Sequence, residues 1–323
     1  MASATFRRAR PLAVASFATI ALLLASASSA PATFPGRNGL IAFHSQTANG
    51  TQIFTVRPNG GDLRQITHVA GDAIRPDWSP DGRRIAFEID TADTAQVALM
   101  NADGSDLVTL PGIGLFNGDP SFTPDGTRLV YSFFNEEHGG VAGMDLDGSD
   151  QRLIIDNDGE DPNVSPDART ISLTCAQVPE VLQALCTFPA GGGPVTPITP
   201  FTAEVGAKSD WAPDGQQLLF TDHADLPNPG DSANVAVVRP DGTGEHLLTH
   251  FRGGETNAFA GSYSPDGRWT VFRLEDHGRF GLFRMRPDGS HLRAILPLSD
   301  LAPRFIDWGP RAADEERRGE DDS

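Results

Sequence analysis

Six of the eight histidines are predicted to lie in loops on one rim of the folded chain, beside several carboxylates. The histidines are His44, His68, His138, His223, His250 and His277. The neighbouring acidic residues are Glu136, Glu137, Asp222, Asp225, Glu275 and Asp276. Imidazole and carboxylate groups together suit a zinc or manganese ion, or general acid and base catalysis. The sequence has no close His-Glu-x-x-His spacing, so the alternative is that these are polar loop residues facing water.

A second set of polar residues stands just before the aromatic position, or its equivalent, of a recurring motif. Its members are Asp77, Ser121, Asn163, Asp210, Ser262 and Asp307. If these side chains point toward a common axis, the carboxylates of Asp77, Asp210 and Asp307 line a channel whose oxygen atoms suit calcium or bound water. The alternative, which we favour, is that they accept hydrogen bonds from neighbouring backbone, because buried polar groups usually find such partners.

Nucleophilic catalysis has no support in the sequence. It contains neither a Gly-x-Ser-x-Gly elbow nor a glycine-rich phosphate-binding helix start. The acidic stretch 156–161 lacks the full spacing of an EF-hand loop, so we interpret it as a solvated acidic loop.

The element that must position both sets of residues is a repeat, which has the form "WSPDGRRIAF" at 78–87 and recurs four more times. The motif prolines are Pro80, Pro124, Pro166, Pro213 and Pro265, which are 44, 42, 47 and 52 residues apart. Ser, Pro, Asp and Gly suit the four successive positions of a type I turn, so the motif predicts a hairpin corner. Ala168 replaces the glycine of the third corner, which we expect to be weaker or differently shaped.

Each repeat also has a second half in which two short apolar runs flank a glycine turn, as in "QVALMNADGSDLVTLP". Four strands at this spacing are typical of a propeller blade. The segment 34–45 reads as a second strand without a first, and 304–310 as a first strand without a second. We therefore predict an all-β, six-bladed β-propeller of four-stranded antiparallel blades, closed by pairing of the N- and C-terminal strands. An open stack of sheets, the alternative, would leave sheet edges exposed.

The motif "WSPDGRRIAF" followed by "MNADGSDL" resembles the blade repeat of TolB-like six-bladed propellers, a WD40-like repeat family, over essentially 34–310. That family includes the propeller of the periplasmic Tol-Pal system, which binds partner proteins, and the gating propellers of serine oligopeptidases. The resemblance therefore implies a binding scaffold more strongly than one particular chemistry. We expect neither the additional N-terminal domain of TolB nor a hydrolase domain.

The ends of the chain differ from the repeats in composition. Residues 1–32 have a basic head, an apolar run at about 11–24 and small residues after it, as an export signal does. An uncleaved membrane anchor is the alternative, although the run is shorter than a membrane span needs. We thus predict an export signal at 1–32, a propeller at 33–310 and a disordered acidic tail at 311–323, in a periplasmic or extracellular protein. In such a compartment Cys175 and Cys186 are predicted to form a disulfide rather than two buried thiols.

The formal net charge is −18, which disfavours nucleic acid and anionic lipid as partners. Taken together, these features predict an exported, monomeric, non-catalytic propeller with no membrane span after signal removal. We expect it to bind a protein or glycan of the cell envelope through its loop-rich face, without a cofactor unless a divalent cation binds. The alternative is a metal-assisted polysaccharide lyase or hydrolase that uses the histidine-rich rim.

Overall fold

The computed structural model describes residues 36–136, 138–157, 159–177, 182–206, 208–223 and 231–313, which form an all-β protein. The predicted export signal and residues 314–323 of the predicted tail lie outside the described residues. One short 3-10 helix, Phe201–Ala203, accompanies the strands. No helix in the described ranges is long and apolar enough to cross a membrane.

Twenty-four strands follow one another along the described chain. The first three are β1 (Asn38–Thr47), β2 (Gly50–Val56) and β3 (Arg64–Gln65). Next come β4 (Asp72–Trp78), β5 (Arg84–Asp90), β6 (Ala95–Asn101) and β7 (Val108–Thr109). They are followed by β8 (Phe116–Phe122), β9 (Arg128–Phe134), β10 (Gly139–Asp145) and β11 (Arg152–Ile155).

The second half of the chain continues the same pattern of four strands at a time. It contains β12 (Glu160–Val164), β13 (Thr170–Gln177), β14 (Leu182–Pro189) and β15 (Thr196–Pro197). Then come β16 (Asp210–Trp211), β17 (Leu218–Asp222), β18 (Asn234–Val238) and β19 (His246–Leu247). The last five are β20 (Thr256–Tyr263), β21 (Thr270–Asp276), β22 (Arg279–Met285), β23 (Arg293–Ser299) and β24 (Arg304–Pro310).

These strands form a propeller of antiparallel sheets. Four sheets have four strands each, in the orders β24-β1-β2-β3, β12-β13-β14-β15, β16-β17-β18-β19 and β20-β21-β22-β23. Strands β4 to β11 form one sheet of eight, so the observed sheets number five and not the predicted six. The two halves of that sheet join only where Ala95 of β6 meets Phe116 of β8 in a parallel bridge, because the start of β8 runs beside the start of β6.

The first and last strands of the described chain belong to the same sheet. Strand β24 pairs antiparallel with β1, with Trp308 opposite Ile41 and Arg304 opposite His44. The backbone N–H and C=O groups of β1 are thereby paired on both sides, by β2 and by β24, so β1 is not an exposed edge.

The hydrophobic core lies between neighbouring sheets, because alternate residues of a strand point to opposite faces. In β1, Ile41 and Phe43 pack with Val271 and Leu282 of the β20–β23 sheet. The intervening Ala42 packs on the other side with residues of β4 to β6, including Trp78. Both faces of the sheet are buried, which explains why its strands are apolar runs and not alternating ones.

The Ser-Pro-Asp-Gly motifs form the predicted hairpin corners. In the first corner the N–H of Gly82 donates to the carbonyl oxygen of Ser79 at 2.9 Å, the bond that closes a type I turn. The hydroxyl oxygen of Ser79 also accepts the N–H of Arg84 at 2.9 Å, where β5 begins. The fourth position has a φ of 67° in Gly82, in the left-handed region that glycine adopts without strain.

The third corner has the same shape despite its alanine, so the expectation of a different shape is wrong. The N–H of Ala168 donates to the Ser165 carbonyl oxygen at 2.8 Å, and its φ is 58°. A residue with a Cβ is strained in this region, by about 1 kcal/mol. The other part of the expectation, that this corner is weaker, therefore concerns the free energy of the strained turn and not its shape.

We expect Ala168→Gly to raise the free energy of unfolding by about 1 kcal/mol, because glycine relieves that strain. Urea denaturation of the two proteins measures the difference. Gly215→Ala is the matched control: Gly215 has a φ of 69° in the fourth corner, and an added Cβ there would meet only Pro166 at an ordinary 3.7 Å. Gly215→Ala should change the free energy of unfolding by a similar amount in the opposite direction. If both substitutions change it in the same direction, strain does not govern the stability of these corners.

The predicted disulfide is confirmed. Cys175 of β13 and Cys186 of β14 are bonded, with their Cα atoms 5.9 Å apart. Ala184 is the residue directly opposite Cys175, so the bond runs diagonally across the hairpin. It joins β13 and β14 near residues 178–181, which lie outside the described residues.

Candidate functional site

Five of the six sequence-predicted polar positions come together around one space between the strands that carry them, which we call the channel. We call Asp77, Ser121, Asn163, Asp210, Ser262 and Asp307 the channel ring; each stands in the innermost strand of its four-strand unit, and all are buried. All but Ser262 line one small cavity.

Four of the six channel-ring side chains accept a hydrogen bond from the backbone of the next innermost strand. The N–H of Trp78 donates to Asp307 (2.7 Å), that of Phe122 to Asp77 (2.8 Å), that of Tyr263 to Asp210 (2.7 Å) and that of Trp308 to Ser262 (2.7 Å). Each donor is the aromatic residue that follows the ring position in its own strand. These side chains thus fasten adjacent innermost strands to one another, as the favoured interpretation of the sequence expected.

A second level of side chains lies two residues before each channel-ring position. We call it the upper ring; its members are Arg75, Asp119, Asp161, Lys208, Ala260 and Phe305. Four of them have a positive φ, which is 56° in Arg75, 50° in Asp119, 59° in Asp161 and 47° in Phe305. The strand pairing shifts register at each of these four points, as at a β-bulge, which redirects a side chain.

Lys208 is the counter-ion of the channel, and reasoning from the sequence missed it. Burial raises the pKa of Asp210 to about 7 and that of Asp161 to about 8, while the positive charge of Lys208 lowers both. Burial alone would lower the pKa of Lys208, yet its carboxylate neighbours, Asp307 foremost, raise it. A signal was present, since Lys208 is the only lysine of the sequence and stands two residues before Asp210, on the same side of an extended chain.

Lys208 is a cation beside the carboxylates at which the calcium interpretation placed a metal ion. No group of three or more His, Cys, Asp or Glu side chains in the described part of the chain is placed to hold a metal. The three ring carboxylates therefore interact with a lysine and with backbone N–H groups.

Arg75 extends this charged network toward one end of the channel. Its guanidinium donates to a carboxylate oxygen of Asp119 and lies 3.7 Å from Glu88 Oε2. The other carboxylate oxygen of Asp119 accepts the N–H of Asp161 at 3.2 Å. Burial, followed by the charge of Asp119, raises the pKa of Glu88 to about 7. The upper ring thus holds two cations and two carboxylates, and Asp119 links Arg75 to the backbone of Asp161.

Beyond Lys208 the channel widens into a cavity of about 330 Å³, which we call the mouth. Its lining includes Lys208, Arg273 and Arg304, the rings of Phe259 and Phe305, and Glu160. Thr221 and Gln183 also line it; they stand in β17 and β14 beside the segments that carry His223 and the disulfide. The mouth therefore opens on the rim that the sequence marked by its histidines.

Comparison with known proteins places this architecture in a family. A family model described as "TolB beta propeller domain" matches residues 19–205, more than half of the chain. The chain belongs to the TolB beta propeller domain family. The predicted TolB resemblance is thus confirmed at the level of the propeller.

Individual relatives of this TolB propeller match over shorter or more divergent stretches. The Tol-Pal system protein TolB of Nitratidesulfovibrio vulgaris is 51% identical over 35 residues, which are 11% of this chain and 8% of that protein. The crystal structure of TolB from Acinetobacter baumannii superposes with a TM-score of 0.70 at 19% identity, over 88% of this chain and 69% of that one. A chain from the crystal structure of a Nidogen/Laminin complex superposes with a TM-score of 0.61 at 12% identity, over 84% of this chain and 98% of that one. At these identities the solved structures show the shared fold alone.

His44 is not a rim residue of the TolB propeller, which corrects its predicted loop position. It lies in β1, is buried, and its Nδ1 accepts the N–H of Arg75 at 3.0 Å. Burial, and then the charges of Arg75, Arg304 and Arg273, lower its pKa to about 3. His44 is therefore a neutral acceptor that holds the upper ring in place.

The other five histidines do not converge on a common partner. His68 contacts Gln65 (3.0 Å), His138 lies near Asp156 (3.9 Å), His223 contacts Asp222 (3.0 Å), His277 contacts Asp276 (2.9 Å) and Glu255 (3.0 Å), and His250 is exposed. The hydrogen bond with Asp276 raises the pKa of His277. Glu275 does not join a histidine but lies 3.5 Å from Arg273.

Two of the acidic neighbours, Glu137 and Asp225, lie outside the described residues. Within those residues, the rim offers no common set of ligands for a metal-assisted lyase or hydrolase.

Proposed function

We propose that the chain is an exported, non-catalytic propeller that binds a protein or glycan of the cell envelope at the mouth and its surrounding rim. The observation that carries the proposal is a cavity of about 330 Å³ above a channel whose strands are joined by four side-chain to backbone hydrogen bonds. A cavity of this size falls within the range of sites that accept a ligand or an inserted side chain. These hydrogen bonds between successive innermost strands hold the scaffold below the cavity, so binding need not order it.

We infer six blades, closed into a ring. The inference is supported by contacts between successive innermost strands, in the order β24, β4, β8, β12, β16, β20 and again β24. It counts the eight-stranded sheet as two blades, because a single bridge joins its halves. A propeller at 33–310, of the WD40-like repeat type, follows from this count.

Export to the periplasm or the cell surface is part of the same proposal. It is supported by the signal-like composition of 1–32 and by similarity to a protein named for the Tol-Pal system. We propose a monomer without a cofactor, which does not bind nucleic acid and has no membrane span once the signal is removed.

Site-specific photocrosslinking in the producing cells tests the proposal. A photoreactive residue at Glu275 or His277, on the rim, should give discrete adducts with an envelope component. The same residue at Asp125 or Asp266, in exposed hairpin corners at the other ends of the strands, should give none. Adducts spread equally over both sets, or absent from the rim, would contradict a rim-directed binding function.

A further inference from the structure

The mouth concentrates positive charge on a chain whose formal net charge is −18. Lys208, Arg273 and Arg304 all line it. Lys208 has its carboxylate neighbours in the channel. Arg304, in contrast, is exposed and makes no ion pair with any residue that the structure describes. A cationic site on an otherwise acidic protein attracts anions selectively.

Arg273 is held in the mouth with its charge only partly balanced. It is 6% exposed, and its Nε has no hydrogen-bond partner in the described ranges. Its guanidinium lies over the ring of Phe259, 3.9 Å from the ring centroid, and its one carboxylate contact, with Glu275, is long at 3.5 Å. Burial, and then the charge of Arg304, lower its pKa to about 10. A buried polar group without a partner is costly, so an incoming acceptor at this point is favoured.

We propose that the mouth binds the carboxylate of an acidic peptide segment, with Arg273 and Arg304 as the groups that hold it. The proposal rests on the proposed binding function and names the chemistry of the partner. Arginine donors suit a carboxylate because their N–H groups can bind both of its oxygens. Pro303 and Ile306 also line the mouth, but both are buried, so the recognition rests on the two arginines.

A protein segment is favoured over a glycan because the aromatic rings are already engaged. Sugars are commonly bound against free aromatic faces, but here Arg273 covers Phe259. The ring of Phe305 stacks on His44, with centroids 5.3 Å apart, and carries the guanidinium of Arg75 at 4.9 Å. The unsatisfied groups of the mouth are therefore charged donors and not stacking platforms.

Isothermal titration of the full chain with acetyl-Glu-Leu-Glu amide tests the proposal, with acetyl-Gln-Leu-Gln amide as the neutral probe. The acidic peptide should bind, more weakly as salt is added, and the neutral peptide should not. Arg304→Gln should weaken binding by about tenfold or more, since a hydrogen bond to a charged group contributes that much. Arg273→Met should weaken it further. Arg304 is exposed, so its variant tests the site even if the Arg273 variant fails to fold.

Arg268→Gln is the matched control, because Arg268 is an exposed arginine in the hairpin corner that follows β20. Its affinity for the acidic peptide should equal that of the unmodified chain. Equal binding of both peptides, no loss in Arg304→Gln, or binding of an oligoglucuronate in place of the peptide would each overturn the carboxylate-peptide site. So would the absence of any peptide binding.

Crosslinking distinguishes failure of the carboxylate site from failure of the proposed binding function. Rim crosslinks that persist unchanged in Arg304→Gln would overturn the carboxylate site and leave the binding function standing. Rim crosslinks that are absent from the unmodified chain would instead remove the binding function on which the site rests.

Discussion

Replacing Lys208 by methionine is expected to lower the free energy of unfolding by about 1–3 kcal/mol, because the carboxylates beside this half-buried side chain lose the cation that favours their charged forms. The methionine side chain has a similar length but no charge. Asp77, Asp161, Asp210 and Asp307 would then face one another across the channel without the cation that now lowers the pKa of each. Urea denaturation near neutral pH measures the loss.

Two further measurements distinguish lost charge from lost packing at Lys208. The double variant Lys208→Met with Asp307→Asn should recover part of the stability, because it removes one of the uncompensated carboxylates. Because Lys208 is the only lysine, an amine-directed reagent should modify its side chain slowly in the folded protein and readily in urea. A loss below about 1 kcal/mol, as for an exposed ion pair, would show that the lysine is not the counter-ion of the channel.

The hairpin corners explain why the propeller could be predicted from sequence while much of the site could not. A Ser-Pro-Asp-Gly motif encodes a local turn, and its recurrence reports the strands on both sides without knowledge of any distant contact. The same regularity identified Asp77, Asp210 and Asp307 as equivalent positions. Even the alanine at position 168 left the turn intact, because the surrounding hydrogen bonds hold it in a strained conformation.

The residues that were missed depend on how the innermost strands deviate from a regular strand. Arg75 and Lys208 stand two positions before a ring aspartate, but the bulge at Arg75 and the bonding of its backbone to His44 appear only in three dimensions. His44 was placed in a loop because β1 was expected to end near Phe43, whereas it continues to Thr47. Arg273 reaches the mouth from a second strand, β21, which the ring positions do not reveal.

The same distinction applies to the merged sheet. A repeat of 44 residues predicts where blades begin, but the contact of Ala95 with Phe116 depends on the path of the loop between β7 and β8. Sequence periodicity therefore indicated four-strand units and not their hydrogen-bonded boundaries.

Asp210→Asn should change the dependence of stability on pH. In the folded protein the pKa of Asp210 is raised from 3.8 to about 7, mainly by burial. The folded state therefore holds this proton more tightly than the unfolded state. The stability that Asp210 contributes is complete below pH 3.8, is lost as the pH rises toward 7, and does not change above that. A shift of this size corresponds to a loss on the order of 4 kcal/mol.

The asparagine variant lacks that titration but keeps an oxygen that can accept the N–H of Tyr263, which now bonds to the aspartate at 2.7 Å. The free energy of unfolding of Asp210→Asn, minus that of the unmodified chain, should thus rise between about pH 4 and pH 7 and then level off. Urea denaturation across this interval measures the difference. Asp241→Asn is the matched control: hydrogen bonds from Thr243 lower the pKa of Asp241 from 3.8, so as the pH rises its difference should fall only below that pH and stay level between about pH 4 and pH 7. A flat or falling difference for Asp210→Asn would mean that this carboxylate is already ionised at low pH, with Lys208 compensating it fully.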